Sequence, residues 1–232
     1  MIEIQQLHKN FGKVEVLKGV DLGIASGGIF AVLGPNGSGK TTMIKSILGM
    51  VIPDKGTIEI DAKNILKKYA YRDNINYLPQ IANFPNNLTV SELINMMKDL
   101  RNKPASDQSL IDRFALAPFL DKKLGNLSGG TRQKVNILLT FMFDSDLIIL
   151  DEPTTGLDPI SLLQLKEIIR TEKEKGKTIL ITSHIISFVE EMADQIVFLL
   201  DGKIYYKGTI AGLKEQTKQK NLEEAIATIL ME

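Results

Sequence analysis

A glycine-rich loop between a predicted strand and a predicted helix constrains the fold of this chain more than any other feature of its sequence. The segment Gly34–Thr41 reads GPNGSGKT and fits the pattern G-x-x-x-x-G-K-S/T without a mismatch. It follows the continuous apolar run Ile29–Leu33, which is typical of a strand buried on both faces. Apolar residues then recur at helical spacing over Thr41–Met50. This order predicts an α/β fold with a phosphate-binding loop.

The loop also predicts which residues contact a nucleotide. Its backbone N–H groups turn inward around a phosphate, and the following helix adds the favourable dipole of its N-terminus. Lys40 is predicted to reach the outer phosphates, and the hydroxyl of Thr41 is predicted to ligate Mg²⁺. The predicted contacts are Gly34, Pro35, Asn36, Gly37, Ser38, Gly39, Lys40, Thr41 and Thr42.

Two acidic residues follow another apolar run. Leu147–Leu150 is predicted to be a buried strand, and Asp151 and Glu152 stand at its carboxyl end. In an open α/β sheet, ligands bind at that edge. Asp151 is predicted to hold Mg²⁺ through water, and Glu152 to polarise the attacking water as a general base. Together with the loop, this pair predicts that the chain binds and hydrolyses a nucleoside triphosphate.

The composition excludes several kinds of chemistry. The 232 residues include no cysteine, which excludes disulfides, thiolate nucleophiles and cysteine metal sites. They include two histidines. The 28 basic and 28 acidic side chains give a net charge near zero, which argues against a bulk electrostatic hold on nucleic acid. No run approaches 18 apolar residues, and the N-terminus lacks a signal-peptide pattern. We therefore expect an intracellular, globular chain that does not span a membrane.

The order of strand and helix patterns predicts one domain with an insertion. These patterns alternate before about residue 82 and again after about residue 143, which predicts a largely parallel sheet covered on both faces. Between the two halves, predicted helices are interrupted by Pro85, Pro104 and Pro118. We expect a single domain over 1–232, with a core of 1–81 and 144–212, a helical subdomain over about 82–143, and a short helical tail over 213–232.

Three local patterns predict particular structures. Thr89 and Glu92 have the spacing of a capping box at the start of a helix. Asp201-Gly202 joins two strand-like runs, which predicts a hairpin with a type I′ turn. The last segment, Leu213–Glu232, predicts one helix that is first polar and then amphipathic.

A second anion-binding element lies in the helical region. The segment LSGGT at 127–131 opens a predicted helix over Arg132–Phe143, where two glycines after a serine form another surface for an anion. The economical explanation is that each cradle covers half of a nucleotide, so that two protomers share two sites head to tail. A guanine-specific switch protein is disfavoured, because Asn102-Lys103 does not continue into the N-K-x-D pattern that reads guanine.

Together, these motifs resemble those of the ATPase subunits of ATP-binding-cassette (ABC) transporters. They run in the order of that family: GPNGSGKTT at 34–42, Gln80 at a strand end, LSGGT at 127–131, LIILDEP at 147–153, Gly156-Leu-Asp158, and His184 after TILITS. The resemblance covers Ile2 to Gly208, nearly the whole chain. It implies the ABC ATPase fold, an α/β phosphate-loop core with a parallel sheet, an antiparallel β subdomain and an inserted α-helical subdomain.

The resemblance implies roles for residues on the chain's own side of a nucleotide. Phe11 matches an aromatic residue that stacks on adenine. Gln80 matches a residue that joins Mg²⁺ and links the nucleotide to the helical subdomain. His184 matches a histidine that hydrogen-bonds the γ-phosphate and positions water, and Glu152 remains the expected catalytic base. ATP and Mg²⁺ are therefore the expected ligands.

Other residues are implied to act across a dimer. Ser128 and Gly130, with Gly129 between them, match positions that contact the γ-phosphate bound to the opposite protomer, and Asp158 matches a residue at the interface. One position departs from the family, because Thr131 stands where Gln is commonest. Since the serine and the glycines are intact, this departure bears on the subfamily rather than on ATP binding.

Three functions remain open: the ATPase subunit of a transporter, a soluble ABC ATPase acting on DNA or the ribosome, and a kinase or switch protein outside the ABC family. DNA-repair members separate the phosphate loop from the signature by a long coiled coil, whereas Lys40 and Leu127 are 87 positions apart here. Translation-factor members carry two cassettes, and this sequence has one. The sequence favours a transporter subunit that works with an integral-membrane permease and a second ATPase subunit, without nucleic acid.

The expected location is cytoplasmic, with peripheral attachment to the cytoplasmic membrane through the permease. The loop after Gln80 is the predicted contact, with Phe84 and Pro85 expected at the surface. The segment Asn221–Ala225 resembles the closing helix of cassettes paired with type-2 export permeases. The segments GTRQKVN, DEPTTGLDPIS and ITSHI resemble the cassette that helps mature copper-dependent nitrous oxide reductase.

Overall fold

A computed structural model of the chain describes residues 1–81 and 83–231, and these residues form two β-sheets and eight α-helices. The strands are β1 (Ile2–Phe11), β2 (Val14–Ile24), β3 (Gly28–Leu33), β4 (Lys55–Ile60), β5 (Lys63–Asn64), β6 (Ile75–Leu78), β7 (Leu147–Asp151), β8 (Thr178–Thr182), β9 (Gln195–Leu200) and β10 (Lys203–Gly208). The helices are α1 (Lys40–Ile47), α2 (Val90–Arg101), α3 (Asp107–Arg113), α4 (Gly129–Phe141), α5 (Pro159–Glu174), α6 (Ile186–Met192), α7 (Ile210–Thr217) and α8 (Leu222–Met231). In these ranges, no helix combines the length and the apolar character needed to cross a lipid bilayer.

The larger sheet has six strands in the order β10-β9-β3-β8-β7-β6. Strands β9, β3, β8, β7 and β6 run parallel, and β10 is antiparallel to β9. Every residue of β7 and β8 is buried, as expected for apolar strands at the centre of a sheet covered on both faces. Because parallel strands end at the same edge, the segments that follow β3, β6, β7 and β8 come together along one side of the sheet.

The smaller sheet has four antiparallel strands in the order β2-β1-β4-β5. Its buried side chains pack in one cluster with α1 and with one face of the larger sheet; members are Ile4, Leu22, Val32, Ile44, Ile58 and Ile149. Strand β2 begins with two exposed residues, Val14 and Glu15, and its buried side chains start at Leu17. A parallel sheet joined to an antiparallel sheet and to inserted helices confirms the predicted fold class.

Helices α2, α3 and α4 lie between β6 and β7, in the stretch for which a helical insertion was predicted. The capping box at the start of α2 is confirmed, because Thr89 Oγ1 accepts a hydrogen bond from Glu92 N–H and Thr89 N–H donates to Glu92 Oε2. One apolar cluster joins these helices to β7 and α5; its members include Leu93, Leu110, Val135, Ile148 and Leu165. The exact limits of the subdomain stay a prediction.

The C-terminal segment forms two helices, so the prediction of a single helix over Leu213–Glu232 is wrong. Helix α7 begins earlier because Thr209 Oγ1 caps it, accepting a backbone N–H at 3.0 Å. The chain then leaves the helix at Lys218, whose backbone is left-handed (φ 57°). Asn221 Oδ1 accepts the backbone N–H three residues ahead at 2.8 Å and starts α8. Glu232 lies outside the described residues.

The turn between β9 and β10 has the predicted type I′ character. Its two central residues, Asp201 (φ 46°) and Gly202 (φ 77°), are both left-handed, as that turn requires. The turn also contacts two other parts of the chain. Gly202 N–H donates to the carbonyl oxygen of Ser38 at 3.1 Å, and Lys18 N–H donates to the carbonyl oxygen of Gly202 at 2.9 Å. The hairpin therefore holds the phosphate loop beside β2.

Candidate functional site

The segments that follow β3, β6 and β7 border one open cleft of about 560 Å³. Strand β3 leads into the phosphate loop, β6 towards Gln80, β7 ends at Asp151 before Glu152, and β8 leads towards His184. The lining residues are Val14, Val16, Asn36, Gly37, Gly39, Lys40, Thr41, Thr42, Gln80, Asp151 and Glu152. All except the two valines were predicted from the sequence. The structure therefore brings the phosphate loop, Gln80 and both acids into one site.

Close backbone approach requires glycine at two positions of the phosphate loop. At Gly34 (φ 153°), a Cβ atom would lie 2.0 Å from the carbonyl oxygen of Leu199 on β9. At Gly39 (φ 107°), it would lie 2.9 Å from the side chain of Leu17 and 3.0 Å from the carbonyl oxygen of Val16. The loop therefore fits between the two sheets only if both positions lack a side chain.

Lys40 lies inside the phosphate loop, where its residue is 8% exposed. Its Nζ donates to the carbonyl oxygen of Gly34 at 2.7 Å and to that of Pro35 at 3.0 Å. Burial lowers the pKa of Lys40 below its usual value, and the negative charges of Glu152 and Asp151 oppose this shift. A phosphate group in the loop would stabilise the charged ammonium.

Oxygen atoms suited to a magnesium ion lie together at the acidic edge. Thr41 Oγ1 lies 3.4 Å from Asp151 Oδ2, and Asp151 is 2% exposed. The other Asp151 oxygen accepts a hydrogen bond from the Thr182 hydroxyl. Gln80 lines the same cleft. Hydroxyl, carboxylate and amide oxygens are the hard ligands that Mg²⁺ prefers, so these residues fit the ion predicted from the sequence.

Two of the three residues predicted to take part in hydrolysis, Glu152 and His184, are in direct contact; the third, Gln80, lines the cleft with Glu152. His184 Nδ1 lies 2.8 Å from Glu152 Oε2. Glu152 is 6% exposed, whereas the His184 side chain projects from the protein. The backbone of Glu152 is left-handed (φ 50°), which is uncommon for a residue other than glycine. Its N–H donates to both the carbonyl oxygen and Oγ1 of Thr182, each at 3.1 Å, and these bonds hold the strained backbone.

Thr182 is a residue of the site that the sequence analysis missed. It lies opposite Asp151 in the parallel pairing of β7 with β8. Its hydroxyl donates to Asp151 Oδ1 and accepts the N–H of Glu152, so a single side chain bonds to both acids. The sequence marks Thr182 only as the last residue of a buried strand. Its contacts follow from the order of strands in the sheet, which the apolar pattern does not encode.

The second predicted cradle begins α4 and lies outside the lining of this cleft. Ser128 Oγ accepts the N–H of Thr131 at 3.2 Å, and both Ser128 and Gly129 are exposed. A Cβ atom at Gly130 would lie 2.9 Å from the carbonyl oxygen of Gly156, so this glycine allows α4 to approach the loop before α5. An exposed cradle is what head-to-tail sharing of a nucleotide requires.

Asp158 makes contacts within its own chain. Its carboxylate accepts hydrogen bonds from the N–H and the hydroxyl of Ser161, each at 2.8 Å, and caps α5. Lys134 Nζ lies 2.8 Å from the same carboxylate. The bond from Lys134 and those from Ser161 hold the pKa of Asp158 well below its usual range. The implied position of Asp158 at a dimer interface stays a prediction.

Two aromatic residues occupy positions that differ in part from the expected ones. Phe11, at the end of β1, is 50% exposed. It does not line the cleft beside the phosphate loop, whereas Val14 and Val16 of the next strand do. Stacking of Phe11 on adenine stays a prediction. Phe84 was expected at the surface, but it packs partly buried against the cluster that contains α2, α3 and α4, because that cluster provides an apolar partner. The exposed apolar side chain next to Gln80 is Ile81, which is 72% exposed.

Comparisons with known proteins identify the family. The sequence profile of the ABC transporter family matches residues 17–155. Over 233 aligned residues the chain is 35% identical to the lantibiotic transport ATP-binding protein SrtF of Streptococcus pyogenes, covering 97% of this chain and 95% of that protein. The fold resembles the solved structure of the ATP-binding subunit of an ABC transporter, with a TM-score of 0.90, 28% identity and 99% of each chain covered.

A further solved structure shares the fold in a dimeric state. It is an ATP-binding cassette in a post-hydrolysis state, bound to ADP and Pi. The TM-score is 0.80 and the identity 25%, over 90% of this chain and 98% of that chain. From the profile, the relative and the shared fold, we conclude that the chain belongs to the ABC transporter family as one of its ATP-binding domains.

Proposed function

We propose that this chain is the Mg²⁺-dependent ATPase subunit of an ABC transporter, which pairs head to tail with a second copy around two ATP molecules and drives a separate membrane permease. The observation that carries this proposal is the contact of His184 with Glu152, which lines the same cleft as Lys40 and Asp151. A base, a phosphate ligand and oxygen ligands for a metal are the groups that phosphoryl transfer to water requires.

The site combines oxygen ligands for a magnesium ion with the ammonium group of a lysine. Thr41, Gln80 and Asp151 would hold Mg²⁺, because their oxygen atoms border the phosphate loop. When bound, Mg²⁺ supplies positive charge that offsets the negative charge of the phosphates. The Lys40 ammonium adds a second positive charge from inside the loop.

Glu152 is proposed to accept the proton of the attacking water. A general base must be held within hydrogen-bond reach of the water, and the backbone of Glu152 is fixed by two bonds to Thr182. Its carboxylate is oriented by the contact with His184. With 6% exposure, the carboxylate is screened from bulk solvent.

His184 cannot donate to Glu152 and to a γ-phosphate at once while its ring is neutral. A neutral imidazole carries one N–H. If Nδ1 donates to the ionised Glu152, Nε2 is an acceptor and cannot bond an anionic phosphate oxygen. We therefore infer that a neutral His184 ring that donates its N–H to the γ-phosphate no longer donates to Glu152.

The dimer is proposed because each chain carries two half-sites on separate surfaces. The phosphate loop opens into the cleft, and the exposed Ser128 and Gly129 lie outside it. The half-site at Ser128 is therefore available to a nucleotide held by a second copy. The similar cassette that was solved as a dimer with ADP and Pi supports this arrangement.

The permease is proposed to dock near the segment that follows β6. Ile81, which lies in that segment, is 72% exposed. A second candidate surface is a groove that Ile81 does not line, where Ile52 and Tyr69 are 68% and 78% exposed. Exposed apolar groups of this kind are typical of protein interaction surfaces. Attachment through these residues would place the chain at the cytoplasmic face of the membrane.

Export is the proposed direction of transport. The basis is the resemblance of Asn221–Ala225 to the closing helix of cassettes that serve type-2 export permeases, and in the structure Asn221 caps that helix. The relative named for lantibiotic transport is consistent with this class. The local likeness to the copper-site maturation cassette stays a prediction and carries no part of the proposal.

Co-purification tests the transporter role. The Glu152→Gln variant is purified from its native host in detergent with Mg-ATP, and the associated proteins are identified and quantified. We expect a polytopic membrane protein in an amount that matches the ATPase. Stoichiometric ribosomal or DNA-associated proteins would overturn the proposal in favour of a soluble ABC ATPase. Glu223→Gln, which changes an exposed acid on α8, is the matched control.

A further inference from the structure

Three buried polar side chains lie along one face of α4, the helix that begins at the LSGGT segment. Gln133, Asn136 and Thr140 are 7%, 3% and 4% exposed. Their spacing of three and four residues places them on the same side of the helix. Burial of an amide is unfavourable unless the group is hydrogen-bonded, so the partners of these side chains indicate what this face contacts.

Two of these side chains link two backbone carbonyl groups. Asn136 Nδ2 donates to the carbonyl oxygen of Pro79 at 3.1 Å and to Oε1 of Gln133 at 3.4 Å. Gln133 Nε2 donates to the carbonyl oxygen of Pro153 at 3.2 Å. We call this chain of hydrogen bonds, from Pro79 through Asn136 and Gln133 to Pro153, the amide relay.

Each end of the amide relay adjoins a residue of the proposed site. Pro79 immediately precedes Gln80, and Pro153 immediately follows Glu152. The two prolines follow β6 and β7, which are neighbours in the sheet. The helix that carries both amides is capped by Ser128. The relay is therefore a direct link from the helix of one half-site to two residues of the other.

We propose that Gln133 and Asn136 are positioning residues for ATP hydrolysis, whose amide relay fixes Gln80 and Glu152 relative to α4. The inference rests on the proposed function. Apolar side chains of similar size would fill the same space but would leave both prolyl carbonyls without these donors. Small displacements of reacting groups slow an enzyme strongly, so loss of the relay affects the rate of hydrolysis rather than the binding of ATP.

The test compares Gln133→Met and Asn136→Leu, which keep the side-chain volume approximately and remove the amide. For the full-length chain, kcat, KM for ATP and the number of ATP-binding sites are measured. We expect kcat per ATP-binding site to fall about 10- to 100-fold, with KM for ATP within about twofold of the wild type. The double variant is expected to lose less than the product of the two single effects, because the two side chains share one hydrogen bond.

Thr140→Val is the matched control. Its hydroxyl lies 2.9 Å from the carbonyl oxygen of Asn136 within α4 and 3.4 Å from that of Tyr77 on β6, and it bonds to neither proline of the relay. The inference is overturned if the relay variants keep the wild-type kcat per site, or if Thr140→Val lowers kcat as much as they do. Each relay variant breaks a different prolyl hydrogen bond. If one variant fails to fold or to bind ATP, the kcat of the other still tests the inference. A wild-type chain that binds but never hydrolyses ATP would instead overturn the proposed function.

Discussion

At the scale of the residue, the Thr182 hydroxyl connects the two acids of the site. It donates to Asp151 and accepts from Glu152 N–H. For Thr182→Val we expect kcat to fall about tenfold or more, because both acids lose a fixed contact. We also expect the free energy of unfolding to fall by about 1–3 kcal/mol, since the buried Asp151 carboxylate loses a hydrogen-bond donor, although Glu152 N–H keeps the Thr182 carbonyl as a partner. ATPase kinetics and urea unfolding measure the two effects.

Thr178→Val is the control for this prediction. Thr178 begins the same strand, and its hydroxyl accepts the N–H of Gly27 at 2.9 Å, away from the acids. This variant should lose stability to a similar degree and keep the wild-type kcat. Equal kcat for Thr182→Val and Thr178→Val would show that the Thr182 hydroxyl does not position the acids.

Lys40 is expected to supply much of the affinity for ATP. Lys40→Ala removes a buried cation that is predicted to contact the phosphates, and we expect Kd for ATP to rise at least about 10- to 100-fold. Lys45→Ala, which truncates an exposed lysine of the same helix, should leave Kd nearly unchanged. Calorimetric titration measures both values. Retention of micromolar affinity by Lys40→Ala would contradict the assignment of the phosphate loop.

The affinity of the wild type should also depend on pH through Lys40. Only the charged ammonium attracts phosphate, and burial lowers the pKa of Lys40 from 10.5. The affinity is therefore full below that lowered pKa and is lost as the pH rises through it, before an ordinary lysine would lose its proton. The Lys40→Ala variant should lack this decline. A wild-type affinity that stays constant up to pH 10.5 would contradict the expectation.

At the scale of the element, α8 stabilises the domain through one apolar face. Leu222 is fully buried in a cluster with Phe198 and Leu213, whereas Leu230 on the same helix is 48% exposed. Leu222→Ala should lower the free energy of unfolding by about 2–5 kcal/mol, because it leaves a cavity in that cluster. Leu230→Ala should change it by less than about 0.5 kcal/mol. Urea unfolding of both variants decides whether the tail is part of the core.

The elements that could be predicted from the sequence are those with a local signal. The run before Gly34, the capping box at Thr89 and the turn at Asp201-Gly202 each depend on residues that are close in sequence. The tail was predicted wrongly because its break depends on the left-handed backbone of Lys218, which the apolar pattern does not mark. Helix α6 was missed because it is only seven residues long and has no side-chain cap.

The candidate site could be predicted in part for the same reason. Lys40, Asp151 and Glu152 stand in contiguous motifs, and the structure places all three in the cleft. Thr182 was not predicted, because it reaches the site through the pairing of β7 with β8, which are distant in sequence. Val14 was not predicted, because β2 approaches the phosphate loop only through tertiary packing. The contact between Glu152 and His184 likewise depends on the order of strands in the sheet and not on spacing along the chain.

At the scale of the whole molecule, the proposed ATP site is divided between two surfaces of one chain. The phosphate loop, Asp151 and Glu152 form one half, and the exposed Ser128 cradle forms the other. The amide relay joins the two halves within each chain. If two copies face each other head to tail, closure on ATP in one site moves the helix that positions Gln80 and Glu152 in the other. ATP with its γ-phosphate would bind the closed dimer more tightly than the open dimer, and this difference in affinity would couple ATP binding to motion of the permease.

The most direct measurement of this shared site is the mass and ATP content of the Glu152→Gln variant at saturating Mg-ATP. Because Glu152→Gln removes the proposed base and keeps the phosphate loop, light scattering should give the mass of a dimer, and nucleotide analysis should give two ATP per dimer. Adding Ser128→Arg, which fills the exposed cradle, should return the variant to a monomer that still binds ATP. A Glu152→Gln variant that stays monomeric with ATP bound would contradict the shared site.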